Sequence, residues 1–568
     1  MKGKKTLIVL LLLIILVGGN SYIISAAETK DFFTIVQKGT VEEIQTALKE
    51  GAEVNRRTDR GQTPLMLAAK ENREAYVMTL LLDYGAIMEA RDNRGKTALY
   101  YAARYNSNPA VLRRLIDKGA AVNITTDEGQ TPLMAALTSS SEEKFSLLLR
   151  SGARVDQRDR KGQTILHHLL IKDSGINQIR SVVRAGASVN IKDNKGQAPL
   201  HIAAQKGQDR IVKYLLDEGA RPNITDNDGV TPLMLAAANN RNTRSLAELI
   251  AAGADLEYQD QKGKTAFLHA AAHNENRDII RFLAEEGADI TAKNKDDQGA
   301  LHLAVLNNSS ENKLSKLLEL GLYINQQDKN NNTVLHLSLQ QRRPSARMVK
   351  FLLTEGADPN LLNDNKYSPL LLAAQNSNDE QIFKDLIDSG ARINPDDTER
   401  GKTPLMLAAR NTDNQKVIFT LLEAGADPQI RDTAGKKVID YLEENQALFG
   451  TEAYWELQYL EPEADKLDLI TKKSQTEASL RSLVIPSLGH AYAEKWWPKG
   501  ALFLAGEAVS LGMAVTRDST EEALPYLLIF GALKAWEIID VRQEVSEFNE
   551  FAQEYNERAE EFNLRLTD

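Results

Sequence analysis

A Gly-Ala pair returns along this chain at Gly51, Gly85, Gly119, Gly152, Gly186, Gly219, Gly253 and Gly287, and again at Gly356, Gly390 and Gly425. Gly321-Leu322 fills the gap as a variant, and every step is 33, 34 or 35 residues. A period of this size is incompatible with one packed core. It demands a stack of small units, none of which can bury its own apolar faces until a neighbour covers them.

A second mark keeps phase with the first: Gly61-Gln-Thr-Pro-Leu-Met66, Gly129-Gln-Thr-Pro-Leu-Met134, Gly229-Val-Thr-Pro-Leu-Met234 and Gly401-Lys-Thr-Pro-Leu-Met406. Looser copies start at Gly95, Gly162, Gly196 and Gly263. Thr63 is a helix N-cap and Pro64 suits the first helical position, where a missing N–H costs nothing. Leu65, Ala68 and Ala69 then form the small apolar face of a short helix, and Val77, Leu80 and Leu81 mark a second one. Gly85 is placed to end that helix in a left-handed cap. The turn-rich stretch from Asn55 to Gly61 reads as a finger between units.

In period and in these motifs the chain resembles the ankyrin repeat, with about twelve units from Thr29 to roughly Gln446. The resemblance implies an all-α solenoid of helix-turn-helix units with finger loops, assigned here to 28–446. Asp31 to Asn55 lacks the Thr-Pro opening and reads as a first cap; Gly435-Lys-Lys-Val-Ile-Asp440 opens a last unit. The finger glycine is replaced by Asp297, Asn331 and Lys366 in three consecutive units. A non-glycine residue held left-handed costs on the order of 1 kcal/mol, so residues 294–370 are expected to be the loosest stretch.

The resemblance also implies protein binding by the fingers and first helices. Arg57, Arg60, Arg91, Arg94, Arg158, Arg160, Lys161, Lys192, Lys195, Lys262, Lys264, Lys293 and Lys295 fall on or beside finger tips. Of these, Arg60, Arg94, Arg160, Lys161, Lys195, Lys262 and Lys295 form a candidate basic ridge for an acidic protein partner. The plainer reading is solvated lysine and arginine beside the loop acids Asp92, Asp159 and Asp193.

Catalysis is disfavoured by what the chain lacks. It has no cysteine, which removes thiolate metal sites and cysteine nucleophiles together. Its net charge of −10 argues against a nucleic-acid partner. His167, His201, His302 and His336 share one slot after the Thr-Pro-Leu mark, a slot filled by Met66, Met134, Met234 and Met406 in other units. A residue exchangeable with methionine is packing rather than chemistry. His269 and His273 have the four-residue spacing of metal ligands, but no third ligand lies nearby in sequence. No phosphate loop or nucleophile motif appears, so no cofactor and no small-molecule substrate is expected.

The two ends point outside the cytoplasm. Lys2, Lys4 and Lys5, an apolar run from Leu7 to Val17, and Ser25-Ala26-Ala27 have the layout of a secretory signal peptide over 1–27. An uncleaved anchor reaching Ile24 is the rival. Beyond the repeats, 447–480 reads as a helical connector in which Trp455, Leu457, Tyr459 and Leu460 cover the last unit. Residues 481–543 hold two apolar stretches, Gly500 to Val515 and Ala523 to Val541. Their opening, Ser482-Leu-Val-Ile-Pro-Ser-Leu-Gly-His-Ala-Tyr492, and the closing step Ile539-Asp540-Val541 resemble small bacterial two-helix membrane hairpins. Tyr492, Trp496 and Trp497 would sit at the membrane interface. A soluble hairpin packed on the last repeat is the alternative. Residues 544–568 read as a charged helical tail. The expectation is an exported, periplasmic or envelope interaction scaffold held at a membrane by 482–541; a secreted effector is the second reading.

Overall fold

The computed structural model describes residues 31–460 apart from 140, 396 and 397. The signal-peptide segment, the hairpin 481–543 with Tyr492, Trp496 and Trp497, and the tail 544–568 all lie outside the described residues. Among those described there are 26 α-helices, pairing into 13 helix-turn-helix units, and no strand. None of these helices is long and apolar enough to cross a membrane. They fall into two compact bodies. One runs to Ala236 and takes in Arg244–Asp255; the other takes in Ala237–Thr243 and the chain from Leu256 onward.

The first body shows how a unit is built. Helix Pro64–Glu71 opens with Thr63 Oγ1 accepting from the Met66 amide at 3.4 Å, with Pro64 in its first turn. Leu65, Met66, Ala68 and Ala69 are all buried. The helix packs between Phe32–Lys38 and Ala98–Tyr105, the inner helices of the two neighbouring units. Outer helix Ala75–Asp83 buries Val77, Met78, Leu80 and Leu81, and ends at Gly85 with φ +90°. There the amides of Gly85 and Ala86 return to the carbonyls of Leu82 and Leu81, both at 2.9 Å. Burying each leucine contributes about 1.5–3 kcal/mol, and neighbouring units share in covering it.

The finger glycine is needed for a different reason. Gly61 has φ +72°, and a Cβ there would lie 2.3 Å from Asn93 Oδ1 and 3.0 Å from the Asn93 amide in the next finger. In the second body Asp297, Asn331 and Lys366 keep the left-handed conformation without glycine, at φ 54°, 56° and 60°. Arg400, at φ 59°, joins them.

The second body extends further than the repeat marks do. Helix Glu452–Tyr459 packs on Gln415–Glu423 and Val438–Glu443, with Ala453 and Leu457 fully buried. Within the stretch assigned to the connector, this helix therefore packs as an outer helix of the last unit, without a Gly-Ala ending. Leu457 does cover the last repeat as expected; Trp455 is only half-buried.

Candidate protein-binding surface

Each finger is shaped by one side chain at its base. Asp92 Oδ1 accepts from the amides of Arg94 and Lys96, both at 2.8 Å. Asp159, Asp193 and Asp226 repeat this in the first body, and Asp260, Asn294, Asp328, Asn363 and Asp432 in the second. Fingers are then tied to each other by backbone. The Asn93 amide donates to Arg60 O at 3.1 Å, Asp127 to Arg94 at 3.1 Å, Arg160 to Glu128 at 2.7 Å, and Asn194 to Lys161 at 3.0 Å. In the second body Lys295 donates to Lys262 O at 3.0 Å, and Thr433 to Arg400 O at 3.0 Å. These bonds use no side chain of the tip; asparagines such as Asn93 and Asn194 add a side-chain bond to the preceding finger, while tip cations such as Arg94 and Lys195 are left to solvent.

All seven ridge residues are exposed on this ladder. Arg60, Arg94, Lys161, Lys195 and Lys262 occupy one register, two places after the finger base; Arg160 and Lys295 stand one place earlier. The same register also holds Glu128, between Arg94 and Lys161, and Asp228, after Lys195. The basic ridge is therefore broken by acids. Arg57, Arg91 and Arg158 belong to the fold instead. Arg57 donates to Gly61 O at 3.2 Å and to Arg91 O at 2.8 Å, and Arg91 donates to Thr125 O at 2.9 Å. Arg158 likewise bridges Gly162 O at 3.0 Å and Lys192 O at 2.9 Å.

Nine residues beyond the finger base, the inner helix returns a polar side chain in some units. Tyr101 Oη donates to Asp92 Oδ2 at 2.6 Å and Tyr441 Oη to Asp432 Oδ2 at 2.6 Å. His168 Nε2 lies 2.9 Å from Asp159 Oδ2, and His269 Nε2 lies 2.9 Å from Asp260 Oδ2. Burial works to raise the Asp260 carboxyl, but the hydrogen bonds from His269 and two finger amides outweigh it, and its pKa is lowered. His269 is thus engaged by its own finger, and no group of three or more His, Asp and Glu side chains among the described residues could hold a metal ion.

The four histidines after the Thr-Pro-Leu mark bridge units. His336 Nδ1 accepts from the Thr333 amide at 3.2 Å, and Nε2 faces Tyr367 O at 3.1 Å, so the ring is neutral with its proton on Nε2. Burial pushes its pKa down to about 4. His167, His201 and His302 make the same pair of contacts, and burial lowers each of them too.

Two features were not drawn from the sequence. One is a loop asparagine: Asn55 Nδ2 donates to Gly85 O and Asn55 Oδ1 accepts from Ile87 N, both at 2.9 Å. Asn123, Asn190, Asn223, Asn325, Asn360 and Asn394 do the same, and the signal is legible as Gly-x-x-x-Asn. The other is Lys144, buried at 1% exposure, which no local pattern announces.

The family model for ankyrin repeats matches overlapping segments that together run from residue 32 to 432. The chain belongs to the ankyrin-repeat family, a fold whose ordinary use is protein–protein interaction. Among solved structures it is similar to the ankyrin repeat domain of Bcl-3, described as a unique member of the IkappaB protein family. The two are 28% identical over 39% of this chain and 97% of that one, with a TM-score of 0.35. No curated protein sequence matches it.

Proposed function

We propose that this protein is an exported, non-catalytic interaction scaffold that presents its fingers and inner helices to an acidic protein partner and is held at a membrane by residues 482–541. The observation behind it is the finger ladder: adjacent fingers are joined through backbone, which leaves exposed cations such as Arg94 and Lys195 with no duty in the fold. Export rests on the charged, apolar and small-residue order of 1–27, and membrane attachment on the apolar stretches flanked by Tyr492, Trp496 and Trp497.

Cross-linking pull-down from envelope extracts, with the wild-type chain beside a variant carrying Arg94→Glu, Arg160→Glu, Lys161→Glu and Lys195→Glu, tests the surface. Partner capture is expected to be lost at an unchanged melting temperature; equal capture removes the ridge from the reading. Recovery of the protein solely from the medium would favour the secreted effector instead.

A further inference from the structure

Helix Ala98–Tyr105 stands apart from the other inner helices of its body: three of its eight residues are tyrosines, and none of the others contains one. Tyr100 and Tyr101 are buried, and their hydroxyls are committed, Tyr100 donating to Gln130 Oε1 at 2.8 Å and Tyr101 to Asp92 as above. Gln62 Nε2 adds a bond to Tyr101 Oη at 2.6 Å. These two rings are thus fixed as a floor. On it stacks Tyr105, its ring centroid 5.9 Å from that of Tyr101, and Tyr105 remains 45% exposed.

Cations surround this aromatic step. Lys96 Nζ lies 5.5 Å from the Tyr100 centroid, and Arg104 Cζ 5.3 Å from that of Tyr105. Lys70 Nζ is 5.9 Å from the Tyr105 ring but is paired with Glu71 at 2.6 Å. Lys96 and Arg104 form no ion pair among the described residues, and each lies against a tyrosine ring. One unit on, the positions matching Tyr101 and Tyr105 are the buried Ala135 and the small Ser139, so no large side chain follows Tyr105 in its register. Gln130, partly exposed, uses its oxygen on Tyr100.

We infer that Tyr105, on its Tyr100–Tyr101 floor, is the anchor of a docking site for an acidic peptide segment carrying an aromatic or large apolar side chain. The inference deepens the scaffold reading and rests on it. A rigid, half-exposed tyrosine beside arginine is the composition that dominates binding energy at protein interfaces, because little rotamer entropy is lost on binding. Lys96 and Arg104, neither in an ion pair, favour carboxylates over amides, and the small Ser139 one unit on leaves the peptide's apolar side chain a place against the ring.

The test is fluorescence anisotropy of the purified full-length chain with a fluorescein-labelled peptide of alternating glutamate and phenylalanine, beside the same peptide with glutamine for glutamate. The glutamate peptide is expected to bind at least about tenfold more tightly than the glutamine one. Arg104→Ala with Tyr105→Ala is expected to weaken it by about tenfold, at an unchanged melting temperature, whereas Tyr105→Phe retains binding. Equal binding of the two peptides, indifference to the double variant, or no binding at millimolar concentration each overturns the site. So does loss of self-association in the double variant, seen by sedimentation, which would give the patch to a second copy. Pull-down of a partner by a chain that ignores the peptide would refute this site and leave the scaffold reading standing.

Discussion

Lys144 Nζ donates to the carbonyl of Asn106 at 2.8 Å, and Asn106 Nδ2 in turn donates to the carbonyl of Asn72 at 2.7 Å. Lys144 also reaches Ala103 O at 2.8 Å and Ala102 O at 3.3 Å, and Asn106 reaches Ala69 O at 3.0 Å. Each side chain closes the open carbonyl end of the preceding unit's inner helix. Asparagine does this from the turn between helices, and lysine from the first turn of the outer helix Glu142–Arg150.

Lys144→Met should therefore destabilise the protein by about 1–3 kcal/mol, because three carbonyls lose a buried donor. Lys313 is as buried and sits in the same helical position, but its Nζ has only Glu275 Oε1, at 3.3 Å, and no hydrogen bond. Glu275 is half exposed and also accepts from Ser310, so Lys313→Met should cost less than Lys144→Met. Urea titrations of the two variants decide the order.

Acid should loosen the solenoid before its carboxylates titrate fully. His336, held neutral by burial, has a folded pKa of about 4 against an unfolded value near 6.5. Its contribution is whole above about pH 6.5 and is lost as pH falls toward 4, since only the unfolded chain then takes up the proton. His336→Met, which copies the residue of other units, should flatten the fall in stability between those pH values. An unchanged slope would mean that the ring is charged in the fold.

The units lacking a finger glycine invite a stabilising change. Lys366 is left-handed at φ 60°, and Lys366→Gly should raise stability by roughly 0.5–1 kcal/mol. Hydrogen exchange over 294–370 is expected to be faster than over 190–290; equal protection would sink the idea that these units are the loosest.

Leu233 is fully buried beneath its unit, and Leu233→Ala should cost about 2–5 kcal/mol. A loss below about 1 kcal/mol, read from chemical denaturation, would contradict the packing of that inner helix.

Membrane attachment has its own assay. Alkaline carbonate washing should leave the full-length chain in the pellet, and complete release would exclude insertion of 482–541.

The repeat, its capping threonines and the left-handed positions were legible because each is decided by neighbours a few residues away. Asp297, Asn331 and Lys366 were found simply by counting from the finger base. What stayed hidden depends on the adjacent unit. Arg57 and Arg91 read as free basic tips, yet their acceptors are carbonyls 34 residues on. Lys144 reads as a solvated helix residue because its acceptors lie 38 to 42 residues earlier. Helix Glu452–Tyr459 was legible as a helical cover of the last repeat but not as the outer helix of a unit, because it packs without either repeat mark. Tyr105 gave no signal either: its meaning comes from the rings beneath it and the cations beside it.

The finger ladder has a mechanical side. Within each body a finger grips only the next by its backbone bond, so tension along the chain is borne in series. Pulled from its ends, such a body is expected to yield one repeat at a time, each release adding about 34 residues, roughly 110 Å at full stretch. Force spectroscopy on the chain is therefore expected to show extension in steps of about that length rather than one abrupt release.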